Sequence, residues 1–235
     1  MISSYVAVDL ETTGLDPKRD KIIEIGAVRV SEGIIEETFE CFVNPYRSLE
    51  KHVIALTGIT DDKLRGARGV EAVIGEFLDF AGELPLLGHQ IIFDYSFLKR
   101  AAVNQGISFE RQGIDTLKLA RNYIPKEKPK TLSSACLYFG VEMKQSHRAF
   151  ADAMAAHNLY QAMAEEFKRS DPDAFGCHQL IYKVKKEQPA SKRQKEHLQD
   201  LLKYHKITLS VQLDHLSRNE ISRITDKIIA QYGRI

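Results

Sequence analysis

The order of predicted elements along the chain constrains the fold more than any other feature of the sequence. Runs of apolar and β-branched residues predict strands over residues 5–10, 22–30 and 34–43, and Ser31-Glu32-Gly33 predicts a hairpin between the last two. A short apolar run then predicts a strand over residues 85–88. Apolar residues at helical spacing predict helices over residues 69–82, 92–104, 116–123, 132–139 and 149–168. This order predicts an α/β structure with a mixed β-sheet flanked by helices.

A change of composition after residue 170 predicts that the chain is divided into two units. Residues 171–190, which include KVKKEQPA, lack apolar periodicity and predict a linker between a domain over residues 1–170 and a small helical C-terminal module over residues 191–235. Ser191 with Gln194, and Ser217 with Glu220, have the spacing of capping boxes. Because so short a module buries little apolar area, we expect it to lean on the domain or on a partner.

The net charge of +1 hides an uneven distribution along the chain. Residues 176–235 contain 12 Lys or Arg and 6 Asp or Glu, whereas the residues before them contain 21 and 26. An acidic domain is not typical of a nucleic-acid binder by bulk charge. The basic C-terminal part either contacts phosphates or is a solvated surface, and the sequence leaves both interpretations open.

The sequence shows no feature of a membrane protein or of a disulfide-rich protein. No apolar run approaches the roughly 18 residues that a membrane helix needs, and MISS leads directly into the first strand without a signal-peptide pattern. Cys41, Cys136 and Cys177 are odd in number and far apart, which argues against a disulfide framework and against zinc-ligand spacing. We therefore expect a cytoplasmic protein with reduced cysteines and no membrane partner.

Two carboxylates interrupt the first strand, in the stretch VAVDLETTGL at residues 6–15. Because side chains alternate along a strand, Asp9 and Glu11 point to the same face. Two like charges side by side repel each other and lose hydration on burial, so the pair suits a site that binds a cation. The alternative is an exposed strand end with two solvated acids, and these residues alone do not decide between the two.

Two further acids and a histidine lie in comparable contexts. Asp94 follows GHQIIF, where a strand end turns into a helix, and Asp152 lies five residues after His147 in SHRAFADAM. Each Asp taken alone is explained as a helix cap or as an acid near a helix N-terminus, and His147 as a structural side chain. No single one of these residues identifies a site.

Taken together, the motifs resemble a known family. DLETTG, GHQIIFDYSFL and HRAFADA resemble the three exonuclease motifs of the DEDD superfamily, and the His-x4-Asp spacing of His147 and Asp152 resembles its histidine, DnaQ-like branch. IIEIGAV, ALTGIT and IDTLKLAR are similar to the epsilon-subunit-like proofreading exonucleases of bacterial DNA polymerase III. The resemblance covers about residues 4–168 and implies a ribonuclease H-like fold, so residues 1–170 would be an exonuclease domain.

The resemblance also implies a chemistry. Asp9, Glu11, Asp94 and Asp152 would bind two divalent cations, Mg²⁺ or Mn²⁺, which prefer hard oxygen ligands. His147 would be the general base, since an imidazole can take a proton near neutral pH. The reaction implied by the family is 3′–5′ hydrolysis of DNA to nucleoside 5′-monophosphates, in proofreading or repair.

Further residues are implied as contacts to the end of the substrate. Thr12, Thr13, Gly14 and Leu15 follow the metal strand, and Gly14 would let the backbone turn closely. Leu15 either wedges beside the last base or belongs to a strand exit completed by Asp16-Pro17. His89 and Gln90 belong to the second motif, in which Gln90 replaces the Asn that the proofreading group usually has.

Four remaining features receive structural interpretations. Glu24 is expected to support the site, and Asp115 to cap the helix that follows it. Phe93 and Phe97, four residues apart, are expected to be core residues of one helix. Residues 179–182, QLIY, have a weak similarity to clamp-binding peptides, a match that arises easily by chance.

Two alternative functions stay open on the sequence. The same chemistry could act on RNA 3′ ends, since related branches of the family degrade RNA. In the other alternative, the chain is a subunit that recruits a polymerase or a clamp through its C-terminal module. The complete set of acids with His147 argues against a purely non-catalytic role.

Overall fold

The computed structural model describes residues 2–143 and 146–235. The strands are β1 (Tyr5–Thr12), β2 (Ile22–Ser31), β3 (Ile34–Phe42), β4 (Leu86–Gly88), β5 (Gln112–Asp115) and β6 (His178–Gln179). The α-helices are α1 (Lys51–Thr57), α2 (Asp61–Leu64), α3 (Val70–Ala81), α4 (Ile92–Asn104), α5 (Thr116–Tyr123), α6 (Leu132–Tyr138), α7 (Ala149–Phe167), α8 (Lys192–His205) and α9 (Arg218–Tyr232).

One mixed sheet organises the molecule, with the strand order β3-β2-β1-β4-β5-β6. The pairs β1–β2, β2–β3 and β5–β6 are antiparallel, whereas β4 is parallel to both β1 and β5. The predicted hairpin joins β2 to β3 through Glu32 and Gly33, whose φ angles are 49° and 85°. Two central residues with positive φ are typical of a type I′ turn, whose twist matches that of the strands.

Each face of the sheet carries its own apolar core. Val6, Val8 and Leu10 of β1 pack with α3 and α4, while Tyr5 and Ala7 point to the opposite face and pack with α7. This alternation confirms the predicted α/β arrangement of a mixed sheet between helices. Asp9 and Glu11 continue the odd-numbered series, so they lie on the α7 face.

The longer predicted elements are confirmed within one or two residues of their bounds. Sequence analysis missed the short elements α1, α2, β5 and β6. The four residues of β5 carry only one large buried side chain, Ile114, so they present no alternation to detect. β6 is two residues long and is defined by its pairing with β5 rather than by its own composition.

The C-terminal residues form a small helical module in which α8 packs against α9. Both helices begin with the predicted capping boxes, at Ser191 with Gln194 and at Ser217 with Glu220. Its small core is formed by Leu198, Leu201, Leu216, Ile221 and Ile228.

The segment between Phe167 and α8 packs in part against the body formed by the sheet and its helices. The Phe175 side chain is fully buried, and Leu180 is only 7% exposed. A Cβ built on Gly113 of β5 would lie 2.8 Å from Leu180 Cδ1, so the glycine makes room for the leucine. Residues 179–182 therefore belong to the fold rather than to a free peptide, while the predicted division at residues 170 and 190 stays a prediction.

The state of the cysteines and the length of the helices complete the description of the fold. Cys41, Cys136 and Cys177 are all free thiols, as expected. In residues 2–143 and 146–235, no helix has the length and apolar character required to span a bilayer.

Candidate active site

The acidic residues come together where α7 approaches the end of β1. Asp9 pairs with Gly26 of β2, and Glu11 pairs with Glu24. A Cβ built on Gly26 would lie 2.0 Å from the backbone nitrogen of Phe150, so only glycine lets the first turn of α7 lie so close to the sheet. This close approach brings Asp152, in the first turn of α7, beside the carboxylates of β1.

Three carboxylates form a cluster that could hold a metal ion. One oxygen each from Asp9, Glu11 and Asp152 all lie within 4.8 Å of one another. Asp94 lies in the first turn of α4 and is buried, and its Oδ1 accepts a hydrogen bond of 3.0 Å from the backbone N–H of Leu10. This bond ties the first turn of α4 to the strand that carries Asp9 and Glu11.

The electrostatics of the cluster disfavour four negative charges in the absence of a cation. Burial, followed by repulsion from Asp94, Asp152 and Glu11, raises the pKa of Asp9 well above its usual range. Burial raises the pKa of Asp94 in the same direction. Burial and repulsion from Asp152 raise the pKa of Glu11 to about 7. A divalent cation between these groups would remove the repulsion.

The charged form of Asp152 is stabilised by its neighbours. Burial raises its pKa, but hydrogen bonds from backbone N–H groups and the nearby His147 act in the opposite direction. Its Oδ2 accepts a hydrogen bond of 3.2 Å from the backbone N–H of Arg148. Asp152 therefore binds the turn that carries His147, as well as facing β1.

His147 lies on this turn, exposed to solvent, with a φ of 60°. A non-glycine residue in the left-handed region is held there by its surroundings, and such residues cluster at functional sites. Lys144 and Gln145, which precede this turn, lie outside the described residues. The structure places His147 beside Asp152 but does not bury it, so its ring is accessible to a substrate.

A buried ion pair fixes the residue after His147. The guanidinium of Arg148 donates to Glu24, with Nη2–Oε1 at 2.8 Å and Nε–Oε1 at 3.1 Å. Glu24 has no exposed surface and also accepts 3.1 Å from the backbone N–H of Ala149. Sequence analysis expected only a supporting role for Glu24 and missed Arg148. A charged residue inside the apolar run IIEIGAV was the available signal that a cation must lie opposite it.

The loop after β1 is organised by an acid that sequence analysis did not single out. Asp20 Oδ1 accepts 3.2 Å from the hydroxyl of Thr13, and its Oδ2 accepts 2.9 Å from the backbone N–H of Asp16. A Cβ on Gly14 would lie 2.5 Å from Asp20 Oδ2. Gly14 therefore leaves space for this carboxylate, and its φ is not among the positive values.

The same loop holds Thr12 and Leu15 at the edge of the acidic cluster. The Thr12 hydroxyl donates 2.7 Å to the backbone oxygen of Gly14. The Leu15 side chain is 83% exposed, so no contact within the described protein accounts for its apolar surface. Leu15 is therefore accessible to a ligand, and its role beside the last base stays a prediction.

His89 and Gln90 lie at the start of the second motif, and their contacts differ. Both ring nitrogens of His89 are engaged inside the protein, Nδ1 at 3.0 Å from Thr116 Oγ1 and Nε2 at 2.7 Å from the backbone oxygen of Lys130. Gln90 is exposed with a φ of 71°, and its backbone N–H donates 3.0 Å to Asp115 Oδ1. The side chain of Gln90 is exposed, whereas the ring of His89 is held by the protein, and a substrate contact for either stays a prediction.

Two structural interpretations, one for Asp115 and one for Phe93 and Phe97, are confirmed. Asp115 caps α5, since its Oδ1 accepts 2.9 Å from the backbone N–H of Leu117. Phe97 is buried in the core of α4, with its ring centroid 5.1 Å from that of the partly buried Phe93.

Comparison with solved structures shows the same fold in exonucleases. A structure of exonuclease I covers 72% of this chain and 42% of its own, with a TM-score of 0.64 at 20% identity. Exonuclease X in complex with 5′ overhanging duplex DNA covers 72% of this chain and 96% of its own, with a TM-score of 0.57 at 21% identity. These similarities confirm the ribonuclease H-like arrangement that the motifs implied.

Sequence comparison extends the likeness to the motifs. A DNA polymerase III of PolC type from Halalkalibacterium halodurans is 39% identical over 170 residues, which are 72% of this chain and 12% of that polymerase. The chain therefore spans only a small part of the curated relatives it matches. The model of the family described as Exonuclease (RNase_T) matches residues 6–160, which include all three acidic motifs. The protein thus belongs to this exonuclease family.

Proposed function

We propose that this chain is a metal-dependent 3′–5′ exonuclease that hydrolyses the terminal phosphodiester of DNA and releases nucleoside 5′-monophosphates, in proofreading or repair. The observation that carries the proposal is the cluster of Asp9, Glu11 and Asp152, whose oxygen atoms lie within 4.8 Å of one another. Carboxylates that are largely buried and so close repel one another unless cations lie between them.

The donor set suits two Mg²⁺ or Mn²⁺ ions, because it consists entirely of hard carboxylate oxygens. Asp9, Glu11 and Asp152 would hold the ions directly. Asp94 would contribute the oxygen that is not hydrogen-bonded to Leu10. Two such ions, when bound, supply charge that orients the phosphate and makes the attacking water more acidic.

The remaining steps belong to residues of the chain. His147 takes the proton of the attacking water on a ring nitrogen, while the water oxygen forms a bond to phosphorus. The bond from phosphorus to the 3′ oxygen of the preceding nucleotide breaks, and that oxygen takes a proton from solvent. Thr12, Thr13, Gly14 and Leu15 line the position of the terminal nucleotide, with the exposed Leu15 against the base.

The substrate class is supported by the relatives. The PolC-type relative is by name a DNA polymerase, and exonuclease X was solved with duplex DNA. DNA is therefore the proposed substrate, and a DNA polymerase is the partner with which a proofreading activity would act.

The proposal is tested by digesting 5′-labelled single-stranded DNA and RNA of one sequence, with Mg²⁺, with Mn²⁺ and with a chelator. We expect a metal-dependent ladder that shortens from the 3′ end and forms faster on DNA. Asp152→Asn should abolish the ladder because the amide is a poorer ligand of similar shape. The matched control is Asp226→Asn, an exposed residue of α9, which should digest DNA like the wild type.

Each departure from this pattern has a distinct meaning. A faster ladder on RNA would replace the proposed substrate with RNA ends. Shortening from the 5′ end would contradict the proposed direction. If a folded protein cleaves neither polymer, the catalytic proposal is wrong and a role in recruiting a polymerase or a clamp gains support.

A further inference from the structure

A basic cleft lies outside the acidic site, between the exonuclease body and the C-terminal module. It has a volume of about 880 Å³ and is lined by α4, by the loop after β1, by residues 179–187 and by α9. Five of its side chains are cations that form no ion pair with any part of the chain that the structure describes: Lys18, Lys183, Lys185, Lys186 and Arg223. All five are exposed.

The segment that carries three of these lysines is fixed at both ends. At its start, Leu180 is buried against Gly113. At its end, Glu187 Oε1 accepts 2.5 Å from Arg100 Nη2, and its backbone N–H donates 3.0 Å to Asn104 Oδ1. Residues 181–186 are therefore stretched along α4 in a set position, with their lysines facing solvent. Such an arrangement differs from a mobile basic linker.

The cleft continues from the active site through two elements. Lys18 lies three residues after Leu15 in the loop that Asp20 organises. α4 begins at the acidic cluster with Asp94, and its residues Lys99, Arg100 and Val103, one to three turns further along, line the cleft. A polymer whose end lies at the acidic cluster would follow α4 and this loop to reach the cleft.

The charge of the cleft indicates which kind of molecule binds there. The body that precedes residue 176 has a net charge of −5, so its bulk charge does not attract a polyanion, whereas the cleft presents unpaired cations. The exposed apolar side chain of Ile181 adds a surface for a base. A single-stranded polynucleotide is evenly charged and flexible, and it can extend from the active site into the cleft. It therefore fits these features better than an acidic peptide, because a peptide would not place a phosphodiester at the carboxylates.

We propose that this cleft binds the backbone of the single strand several nucleotides upstream of the 3′ end, so that the lysines of residues 181–186 strengthen the binding of long substrates. The proposal rests on the proposed function only for the identity of the end that enters the acidic site. Its contacts are to phosphates, so DNA and RNA strands should both use the cleft.

The test compares two variants of the full chain that lose the same charge. The cleft variant is Lys183→Gln, Lys185→Gln and Lys186→Gln, and the control variant is Lys192→Gln, Lys203→Gln and Lys227→Gln, three exposed lysines of α8 and α9 outside the cleft. Binding of 5′-fluorescein 20-mers of DNA and of RNA, and of a DNA tetranucleotide, is followed by anisotropy in chelator at several salt concentrations. No cleavage occurs in this assay, so its result does not depend on catalysis.

We expect the cleft variant to bind both 20-mers roughly 10–100-fold more weakly than the wild type, with a salt slope reduced by about 2, as the loss of three phosphate contacts requires. The advantage of the 20-mer over the tetranucleotide should shrink by the same factor. The control variant should keep that advantage. KM on a long substrate with Mg²⁺ should rise in the cleft variant alone.

Equal losses in both variants would overturn the proposal, because bulk charge and not the cleft would then hold the strand. Unchanged binding of the 20-mers by the cleft variant would overturn it as well. If the wild type binds the 20-mer through the cleft but cleaves nothing with metal present, the proposed function is wrong while the proposal for the cleft is supported.

Discussion

At the scale of single residues, the acidic cluster ties stability to pH and to metal ions. Folding raises the pKa of Glu11 from 4.5 to about 7, first by burial and then by repulsion from Asp152. The folded state therefore binds more protons than the unfolded chain between these two values, so the free energy of unfolding falls as the pH rises from about 4.5 to about 7. For Glu11 the loss is of the order of 3 kcal/mol.

Thermal melts in chelator should show this fall in the wild type. Glu11→Gln removes the titrating group, so its melting temperature should depend less steeply on pH over the same window. Adding Mg²⁺ or Mn²⁺ should raise the melting temperature of the wild type most at the upper end of the window, where the carboxylates are charged. If the melting temperatures of the two proteins depend on pH equally in chelator, the titration of Glu11 is not the cause of the fall in stability.

A second prediction at this scale concerns Arg148, which we expect to position His147. Two nitrogens of its planar guanidinium donate to the fully buried Glu24, and its backbone N–H donates to Asp152. Arg148 therefore fixes the turn that carries His147 through both contacts. Arg148→Lys keeps the charge opposite Glu24 but loses the fork. We expect kcat to fall at least about tenfold with KM little changed, since small misplacements of catalytic groups are costly.

Two comparisons separate positioning from general damage. His147→Ala should lose roughly 10²–10⁴-fold in kcat if the imidazole is the general base, and adding Arg148→Lys to it should cost little more. Arg68→Lys alters another Arg–Glu fork, the exposed pair with Glu76, and should leave kcat within about twofold. Additive losses in the double variant would show that Arg148 acts independently of His147.

At the scale of elements, one carboxylate docks the C-terminal module onto the body. Glu220 completes the capping box of α9, and its Oε1 also lies 2.9 Å from Arg47 Nη2 and 3.0 Å from Lys21 Nζ. Burial alone would raise the pKa of Glu220, but Lys21 and the hydrogen bonds lower it. Tyr46 supports the same contact by stacking on His215 with ring centroids 3.3 Å apart.

Glu220→Gln should therefore destabilise the protein by about 3 kcal/mol, because two cations lose their partner in a largely buried contact. The matched control is Asp214→Asn in the exposed pair with Lys195, which should leave stability unchanged within error. Urea unfolding measures both. If Glu220→Gln unfolds like the control, the module is held by its apolar contacts and not by this ion pair.

At the scale of the whole molecule, the structure indicates where the chain can be shortened. A chain ending at Phe175 loses β6 and the buried Leu180, which exposes the core beneath Gly113. A chain ending at Gln188 keeps them, together with the Arg100–Glu187 contact, and loses only the helical module. We expect the shorter chain to be less stable than the longer one by about 3 kcal/mol or more, since Leu180 and the half-buried Tyr182 lose their packing.

Urea unfolding of the two truncated chains beside the full chain checks this expectation. The chain ending at Gln188 should also keep its secondary structure by circular dichroism. Equal stability of both truncated chains would place the end of the exonuclease domain at about residue 170, as the sequence alone predicted.

The sequence by itself determined the first four strands, the long helices, both capping boxes and the motif residues, because each depends on local periodicity or on short polar patterns within one segment. Asp9 and Glu11 could be assigned to one strand face from alternation alone. The resemblance of the motifs was then enough to identify the exonuclease family.

Only the tertiary structure decided what depends on contacts between distant segments. Gly26 matters because α7 approaches it, Glu24 because Arg148 lies 124 residues away and faces it, and Leu180 because Gly113 leaves it room. The basic cleft likewise exists because residues 181–186 are fixed along α4. None of these partners is near in sequence, so no local pattern could reveal them; the packing of two sheet faces and a docked module brought them together.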